Sequence, residues 1–175
     1  IIENEYPNNY SGLISLITAI AVVESLNKRG IETKLKWPND IFVNKKKLGG
    51  ILCETKIIKK KIVMVVIGVG INVNETISEH PENIREHLTT MFEISKHAHQ
   101  RELIVAEFIN SIERLLYELS IDPEQIINKW LNNCLHLNKK ISFYENEKII
   151  EGVFTGLDSN GFAIIEINNE IKTYG

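Results

Sequence analysis

The sequence has few cysteines and prolines, and each scarcity excludes a class of protein. Among its 175 residues there are two cysteines, four prolines and ten glycines. Cys53 and Cys134 lie far apart and form no C-x-x-C motif. Neither a disulfide scaffold nor a thiolate zinc site is therefore supported, and a reducing cytoplasm is the expected location. The low glycine and proline content excludes a collagenous or low-complexity chain.

Long hydrophobic runs and a strong net charge are also absent. The longest apolar stretch, residues 62–69, is far shorter than the ~20 residues that span a bilayer. The 20 basic and 23 acidic residues give a net charge of −3, which creates no field that would attract nucleic acid. We therefore predict neither membrane association nor DNA binding.

Lysines and histidines offer no clear catalytic pattern of their own. Lysines cluster on both sides of a predicted strand between Lys45 and Lys61, which is typical of solvated turns; contact with a phosphate or an acidic partner stays open. The histidines at positions 80, 87, 97, 99 and 136 have no metal-ligand spacing, and we interpret them as exposed loop residues. The sequence contains no G-x-S-x-G or Walker motif.

Hydrophobic periodicity predicts an α+β organisation for residues 1–137. Apolar residues at helical spacing predict helices over residues 11–28, with Ser11 as the cap, and over residues 100–119. A third helix is predicted to begin at Asp122-Pro123. Apolar runs predict strands at residues 33–37, 41–43, 48–57 and 62–73. The last run is rich in β-branched residues, which indicates a central strand buried on both faces.

Residues 138–175 have the pattern of a separate all-β domain. Short strands are predicted at residues 140–144, 148–157, 162–167 and 171–174, and Asn, Asp and Gly mark the turns between them. We therefore predict a domain boundary near Leu137, followed by a small β-barrel.

Three short segments carry the residues with chemical potential. Residues 36–40, K-W-P-N-D, place a cation at a strand end beside a rigid turn, and residues 47–54 and 67–72 both contain glycines inside a predicted strand. Glycine weakens a strand unless another group must approach the backbone closely. Two such patches on neighbouring strands would let a flat ligand lie on the sheet, with Lys36 and Asn72 at its charged end. Bulges, a solvated lysine and a turn-forming asparagine explain the same residues without a ligand.

In this order and spacing, the three segments resemble the biotin protein ligase family. Its core carries a K-W-P-N-D block, then K-x-G-G-I-L-x-E, then G-x-G-x-N, matched here by residues 36–40, 47–54 and 68–72. The resemblance implies an α+β fold in which a mixed β-sheet with flanking helices, of the class II synthetase and biotin ligase type, precedes a small SH3-like β-barrel. It assigns residues 1–137 to a catalytic domain and residues 138–175 to the C-terminal domain.

The resemblance also implies a two-step reaction. Biotin and ATP, with Mg²⁺, form biotinyl-5′-AMP, and biotin then passes to a lysine on the biotin carboxyl carrier domain of acetyl-CoA carboxylase. It implies that Lys36 is the catalytic cation, contacting biotinyl-AMP, and that Asn72 lies near the phosphate or its Mg²⁺. The other residues are implied to bind biotin (Gly49, Gly50, Ile51, Gly68 and Gly70) or to support the turn that aims Lys36 (Trp37, Pro38, Asn39 and Asp40).

Departures from the family pattern bear on activity. The family's Gly/Arg-rich loop, which folds over biotin and the adenylate, has no counterpart before Arg29, the first arginine. Its last C-terminal strand has none either, so we expect a truncated polypeptide with little or no ligase activity alone. A non-catalytic module that binds biotin or docks the carrier, and a lipoate-ligase-like acyltransferase, stay open as alternatives. The family also contains homodimers formed through a sheet edge, and the sequence does not choose between monomer and dimer.

Overall fold

The structure, a computed structural model, describes residues 6–7 and 10–175. The elements found in those residues are β1 (Tyr6–Pro7), α1 (Ser11–Asn27), β2 (Lys34–Lys36), β3 (Asp40–Val43), β4 (Lys46–Ile58), β5 (Lys61–Ile71), α2 (Met91–Ser95), α3 (Arg101–Ile121), α4 (Pro123–Asn132), β6 (Lys139–Glu145), β7 (Lys148–Leu157), β8 (Ala163–Ile167) and β9 (Glu170–Tyr174). The predicted helices and strands are confirmed to within a few residues, whereas the sequence pattern does not predict α2. Tyr10, and not Ser11, occupies the N-cap of α1.

The first sheet is antiparallel in every described strand pairing. Its strand order is β1-β5-β4-β3-β2 over the described residues. The prediction of a mixed sheet is therefore wrong for these strands. Strands β2 to β5 follow one another through short turns, and a short turn joins antiparallel neighbours, whereas a parallel pair needs a long crossover. Asn44 and Lys45, with φ of 48° and 66°, form one of these turns.

Helix α1 lies at the centre of the core. It packs against β4 on one side and against α3 and α4 on the other. Leu13, Ile17, Ile20 and Leu26 are at most 2% exposed. A helix covered in this way is expected to be apolar almost all round, as this one is.

Only one face of the sheet is covered by α1. Val65 of β5 points inward and is buried, whereas Val66, Gly68 and Gly70, on the alternate positions, are exposed. The prediction that this strand is buried on both faces is therefore wrong. The open face is available to a ligand, and the candidate site lies there.

The C-terminal strands form an antiparallel meander in the order β6-β7-β8-β9. The rings of Phe143 on β6 and Tyr174 on β9 are 4.8 Å apart between centroids. In a flat sheet, three strand spacings would separate those strands by about 14 Å, so the sheet is strongly curled. No pairing between β6 and β9 closes it within the described residues, and the predicted barrel is therefore open in this part of the chain.

The two predicted domains share one hydrophobic core. Trp130 of α4 and Phe154 of β7 belong to the same buried cluster as α1, and their rings are 6.2 Å apart. The N-terminus of α1 also packs tightly against the turn before β8, because a Cβ at Gly12 would lie 2.2 Å from the carbonyl oxygen of Asn160. The chain does change from helices to strands near Leu137, but buried side chains from both sides of that point belong to one core.

Cys53 and Cys134 are both free thiols in the structure. Among the helices described, none is both long and apolar enough to cross a membrane.

Candidate ligand-binding site

A single row of cross-strand partners joins the three sequence segments. Lys36 on β2 pairs with Asp40 on β3, Asp40 pairs with Gly50 on β4, and Gly50 pairs with Gly70 on β5. Residues directly opposite each other in antiparallel strands project from the same face. The row therefore crosses four strands on the open face of the sheet, which is the arrangement that the sequence predicts for a flat ligand.

The glycines of this surface have different roles. A Cβ at Gly70 would meet no atom within 4 Å, and a Cβ at Gly50 or Gly68 would meet its nearest neighbour at 3.6 or 3.5 Å. These three positions leave the main chain open to a ligand. A Cβ at Gly49 would instead lie 2.2 Å from the carbonyl oxygen of Gly70. Gly49 is therefore required for the close approach of β4 to β5, whatever binds above it.

Lys36 carries an ammonium group that no carboxylate neutralises among the described residues. Its side chain is exposed, and its Nζ lies 5.3 Å from the centroid of the Phe42 ring, a cation–π distance. Its cross-strand neighbour Asp40 forms an ion pair with Lys47 instead. The charge of Lys36 is thus available to an anionic ligand.

Asn39 forms hydrogen bonds that join the turn after Lys36 to β4. The Asn39 side-chain amide donates to the carbonyl oxygen of Ile51 at 2.8 Å, and the Ile51 N–H donates to the carbonyl oxygen of Asn39 at 2.9 Å. These bonds fit the predicted supporting role of Asn39. The Ile51 side chain is 4% exposed and belongs to the core, so it does not reach the open face where biotin is predicted to bind.

Trp37 and Pro38 lie in the same turn as Asn39. The Trp37 ring lies edge-on to Phe143 of β6, with centroids 5.7 Å apart, and Pro38 is exposed. The predicted support residues therefore differ in their contacts: Asn39 and Asp40 bond to β4, whereas Trp37 packs against the C-terminal sheet.

The segment that follows β5, residues 72–91, forms a wall at one end of the surface. The Asn72 side-chain amide donates to the carbonyl oxygen of Thr89 at 3.1 Å, and the Met91 N–H donates to the carbonyl oxygen of Asn72 at 3.0 Å. A parallel bridge between Lys47 and Leu88 ties the wall to β4. Because the amide of Asn72 is turned toward Thr89, its side-chain carbonyl oxygen is the group left for a ligand.

The floor and the wall together enclose an open cavity of about 680 Å³, within the size range of small-molecule sites, roughly 300–1,000 Å³. Its polar lining comes from Lys47, Asn72, His80 and His87, and its floor includes Gly50 and Gly70. The lining therefore combines a flat main-chain floor with the ammonium group of Lys47, the amide of Asn72 and two imidazole rings. Such a cavity suits a planar ligand with an anionic group.

Two histidines of this cavity are functional candidates that the sequence pattern misses. The Lys47 N–H donates to the carbonyl oxygen of His87 at 2.8 Å, which places His87 beside Lys47. Arg85 holds the loop by donating to the carbonyl oxygen of His80 at 2.7 Å. Neither histidine has a sequence spacing that marks it, because both reach the cavity only through the folded wall.

The interpretation of all five histidines as exposed loop residues is wrong. His99 and His136 are 9% and 6% exposed. Burial lowers the pKa of His136 to about 4, and the positive charges of Lys36 and Lys139 add to the shift. His136 is consequently a neutral, buried neighbour of Lys36 at neutral pH.

No cluster of three or more His, Cys, Asp or Glu side chains forms a metal-binding group in the part of the chain that the structure describes. The groups that the structure offers to a charged ligand are the cations and amides already named. They can bind an anion directly.

Comparison with known proteins identifies relatives over nearly the whole chain. Residues 2–72 match the model of the Biotin/lipoate A/B protein ligase family. The bifunctional ligase/repressor BirA of Bacillus subtilis is 26% identical over 176 residues, covering 98% of this chain and 54% of the relative. The biotin–[acetyl-CoA-carboxylase] ligase of Mycobacterium tuberculosis is 30% identical over 161 residues, covering 89% of this chain and 57% of the relative. The chain thus spans about half the length of these curated relatives.

Solved structures agree with the sequence comparison. The crystal structure of biotin protein ligase from Aquifex aeolicus matches with a TM-score of 0.80 and 29% identity, covering 94% of this chain and 72% of that one. The same enzyme in complex with biotin and ATP matches with a TM-score of 0.77 and 29% identity, over 92% of this chain and 67% of that one. In its α+β fold, its three motif segments and these relatives, the chain is similar to biotin protein ligases, and residues 2–72 match the broader Biotin/lipoate A/B protein ligase family.

Proposed function

We propose that this protein acts in the ATP-dependent attachment of biotin to a lysine of a biotin carboxyl carrier domain, through biotinyl-5′-AMP. The observation that carries the proposal is the row that runs from Lys36 to the opposed glycines Gly50 and Gly70. It sets an unneutralised cation beside a flat main-chain surface. The Aquifex relative is described in complex with biotin and ATP, and the chemistry proposed here needs both.

In the proposed arrangement, biotin lies over the open main chain of Gly50, Gly68 and Gly70. The biotin carboxylate attacks the α-phosphorus of ATP, the bond to the β-phosphate oxygen breaks, and pyrophosphate leaves. Lys36 stabilises the negative charge that develops on the α-phosphate oxygens. The acceptor lysine, as a free amine, then attacks the biotinyl carbonyl, and AMP leaves.

We place the nucleotide at the walled end of the surface. Lys47 and His87 supply hydrogen-bond donors to phosphate oxygens there, and Asn72 offers an amide oxygen. Mg²⁺ enters as the MgATP complex and belongs to the substrate. Asn72 is the described residue whose side-chain oxygen fits a position near that ion or the α-phosphate.

The remaining features of the proposal concern the whole protein. We propose a carrier domain of acetyl-CoA carboxylase as acceptor, since the Mycobacterium relative is named for that substrate, and the cytoplasm as the location, which the two free thiols support. We also propose that the curled C-terminal sheet corresponds to the SH3-like domain of the family. Self-association through a sheet edge stays a prediction, which sedimentation of the purified protein tests.

Activity should be tested on the full-length protein and on the 175-residue chain separately. Each is incubated with biotin, MgATP and a carrier domain, and biotinyl-AMP, pyrophosphate and the biotinylated carrier are quantified. We expect turnover by the full-length protein and little or none by this chain alone. Biotin binding without pyrophosphate release by the full-length protein would favour a non-catalytic module, and preferential transfer of lipoate would favour the acyltransferase alternative.

A further inference from the structure

The residues on either side of Lys36 are both held by the C-terminal part of the chain. The Leu35 N–H donates to the carbonyl oxygen of Asn133, and the Leu135 N–H donates to the carbonyl oxygen of Leu35, both at 2.8 Å. Leu35 is 2% exposed. This parallel bridge fixes the backbone immediately before Lys36 to the segment that leads into β6.

The residue after Lys36 is held by aromatic contacts. The Trp37 ring meets Phe143 of β6 edge-on, at 5.7 Å between centroids and an interplanar angle of 87°. Phe143 in turn meets Tyr174 of β9 at 4.8 Å and 73°. These are favourable edge-to-face geometries for aromatic pairs. The three rings form a continuous chain from the far edge of the C-terminal sheet to the neighbour of Lys36.

Strand β2 needs such support because it is short. It covers Lys34–Lys36 and pairs with β3 on one side. Successive side chains of a strand point to opposite faces, so Leu35 and Trp37 point away from the glycine surface while Lys36 projects onto it. Contacts on both flanking residues therefore restrict the backbone that aims the Lys36 side chain.

We infer that the C-terminal sheet positions Lys36 for adenylate formation, and that Phe143 and Tyr174 are positioning residues acting through Trp37. The inference rests on the proposed function, which gives Lys36 its role at the α-phosphate. A displacement of about 1 Å in a catalytic group can cost on the order of a hundredfold in rate. Loss of the Phe143 ring is therefore expected to lower kcat for adenylate formation tenfold or more, with KM for biotin nearly unchanged.

The test compares Phe143→Leu with Tyr144→Leu in the full-length protein. Tyr144 is the next residue of β6, and its side chain is 76% exposed, so it is a matched control that leaves the ring chain intact. Phe143→Tyr keeps the ring and should retain activity. Tyr174→Leu, at the other end of the chain of rings, should show a smaller loss of kcat and gives a second variant if Phe143→Leu fails to fold.

Two further readouts distinguish positioning from general damage. With 5-fluorotryptophan, the ¹⁹F signal assigned through Trp37→Phe should move in Phe143→Leu, while that of the buried Trp130 stays in place. In a Lys36→Ala background, Phe143→Leu should lower the residual rate no further, because its effect passes through Lys36. A folded Phe143→Leu variant with wild-type kcat, or full additivity with Lys36→Ala, overturns the inference.

Failure of the proposed function would look different. If the wild-type full-length protein neither binds biotin in calorimetry nor releases pyrophosphate from ATP, the ligase assignment itself fails. If it does both, and the Phe143 and Tyr174 variants match it in kcat, only the positioning role fails.

Discussion

Gly50 and Gly70 are direct cross-strand partners on β4 and β5, and both present bare main chain to the open face of the sheet. The same cross-strand row leads through Asp40 to Lys36. Sheet register thus places a flat, side-chain-free floor and the backbone of a cationic residue in one row.

Replacing Lys36 should strongly slow adenylate formation while leaving the fold intact. Lys36→Ala removes the charge proposed to stabilise the α-phosphate, and we expect adenylate formation to fall by about 10²- to 10³-fold. The stability cost should be within about 1 kcal/mol, since the lost contact with Phe42 is exposed. Pyrophosphate release by the full-length protein measures the first effect and urea unfolding the second. Lys34→Ala, on the same strand and face, is the control; an equal loss of activity there would argue against a specific role for Lys36.

Substitutions at Gly70 and Gly49 should have different effects, because Gly70 lies on the open floor and Gly49 packs against β5. Gly70→Val places a side chain on the open floor, where a Cβ meets no atom, so we expect a stable fold and at least tenfold weaker biotin binding. Gly49→Ala forces a methyl group against the carbonyl oxygen of Gly70, and we expect destabilisation of about 1–3 kcal/mol. Calorimetry with biotin and urea unfolding of both variants separate the two roles. Unchanged biotin binding by Gly70→Val would contradict the proposed floor.

Residues at the walled end of the cavity should contribute more to ATP binding than to biotin binding. His87→Ala removes a donor proposed to reach a phosphate, and we expect the Kd for MgATP to rise about tenfold, or about 1.4 kcal/mol. The Kd for biotin should change little. His97→Ala is the control, because His97 is exposed and is not among the residues lining the cavity. Weaker binding of biotin in place of ATP would reverse the proposed orientation of the two ligands.

Acid should destabilise the fold through His136. Its pKa is about 4 in the folded chain because the ring is buried, against roughly 6.5 in an unfolded chain. Between these pH values the unfolded state binds more protons than the folded state. The contribution of neutral His136 to the free energy of unfolding is therefore fully present above about pH 6.5 and is lost as the pH falls toward 4. The loss should be on the order of 2 kcal/mol after allowance for solvent near the ring.

Unfolding in urea across pH 4–7 measures this effect. The substitution His136→Phe should flatten the slope, since it keeps an aromatic ring against Phe154, at 4.5 Å from the present imidazole. His97→Gln serves as the exposed control and should leave the slope as it is. A slope unaffected by His136→Phe would assign the acid sensitivity to other groups.

Much of the fold was within reach of the sequence because its signals are local. Helical periodicity, the proline at the start of α4 and the Asp122 cap, which accepts from the N–H groups of Glu124 and Gln125, act within a few residues. Short apolar runs and turn residues likewise give the strands and their ends. The mixed sheet was the wrong expectation, because strand direction follows from connection length and not from strand composition.

The sequence by itself determined the helices and strands apart from α2, the three motif segments and the family that they resemble. Tertiary structure decided which glycines lie open to a ligand and which pack against a neighbouring strand. The alternation of a strand assigns its residues to two faces, but it does not show which face the rest of the protein covers. Tertiary structure also brought His80 and His87 to the cavity, buried His136 beside Lys36, and set Phe143 and Tyr174 behind Trp37. The physical reason is that register and packing depend on contacts between distant segments, and those contacts exist only once the chain has folded.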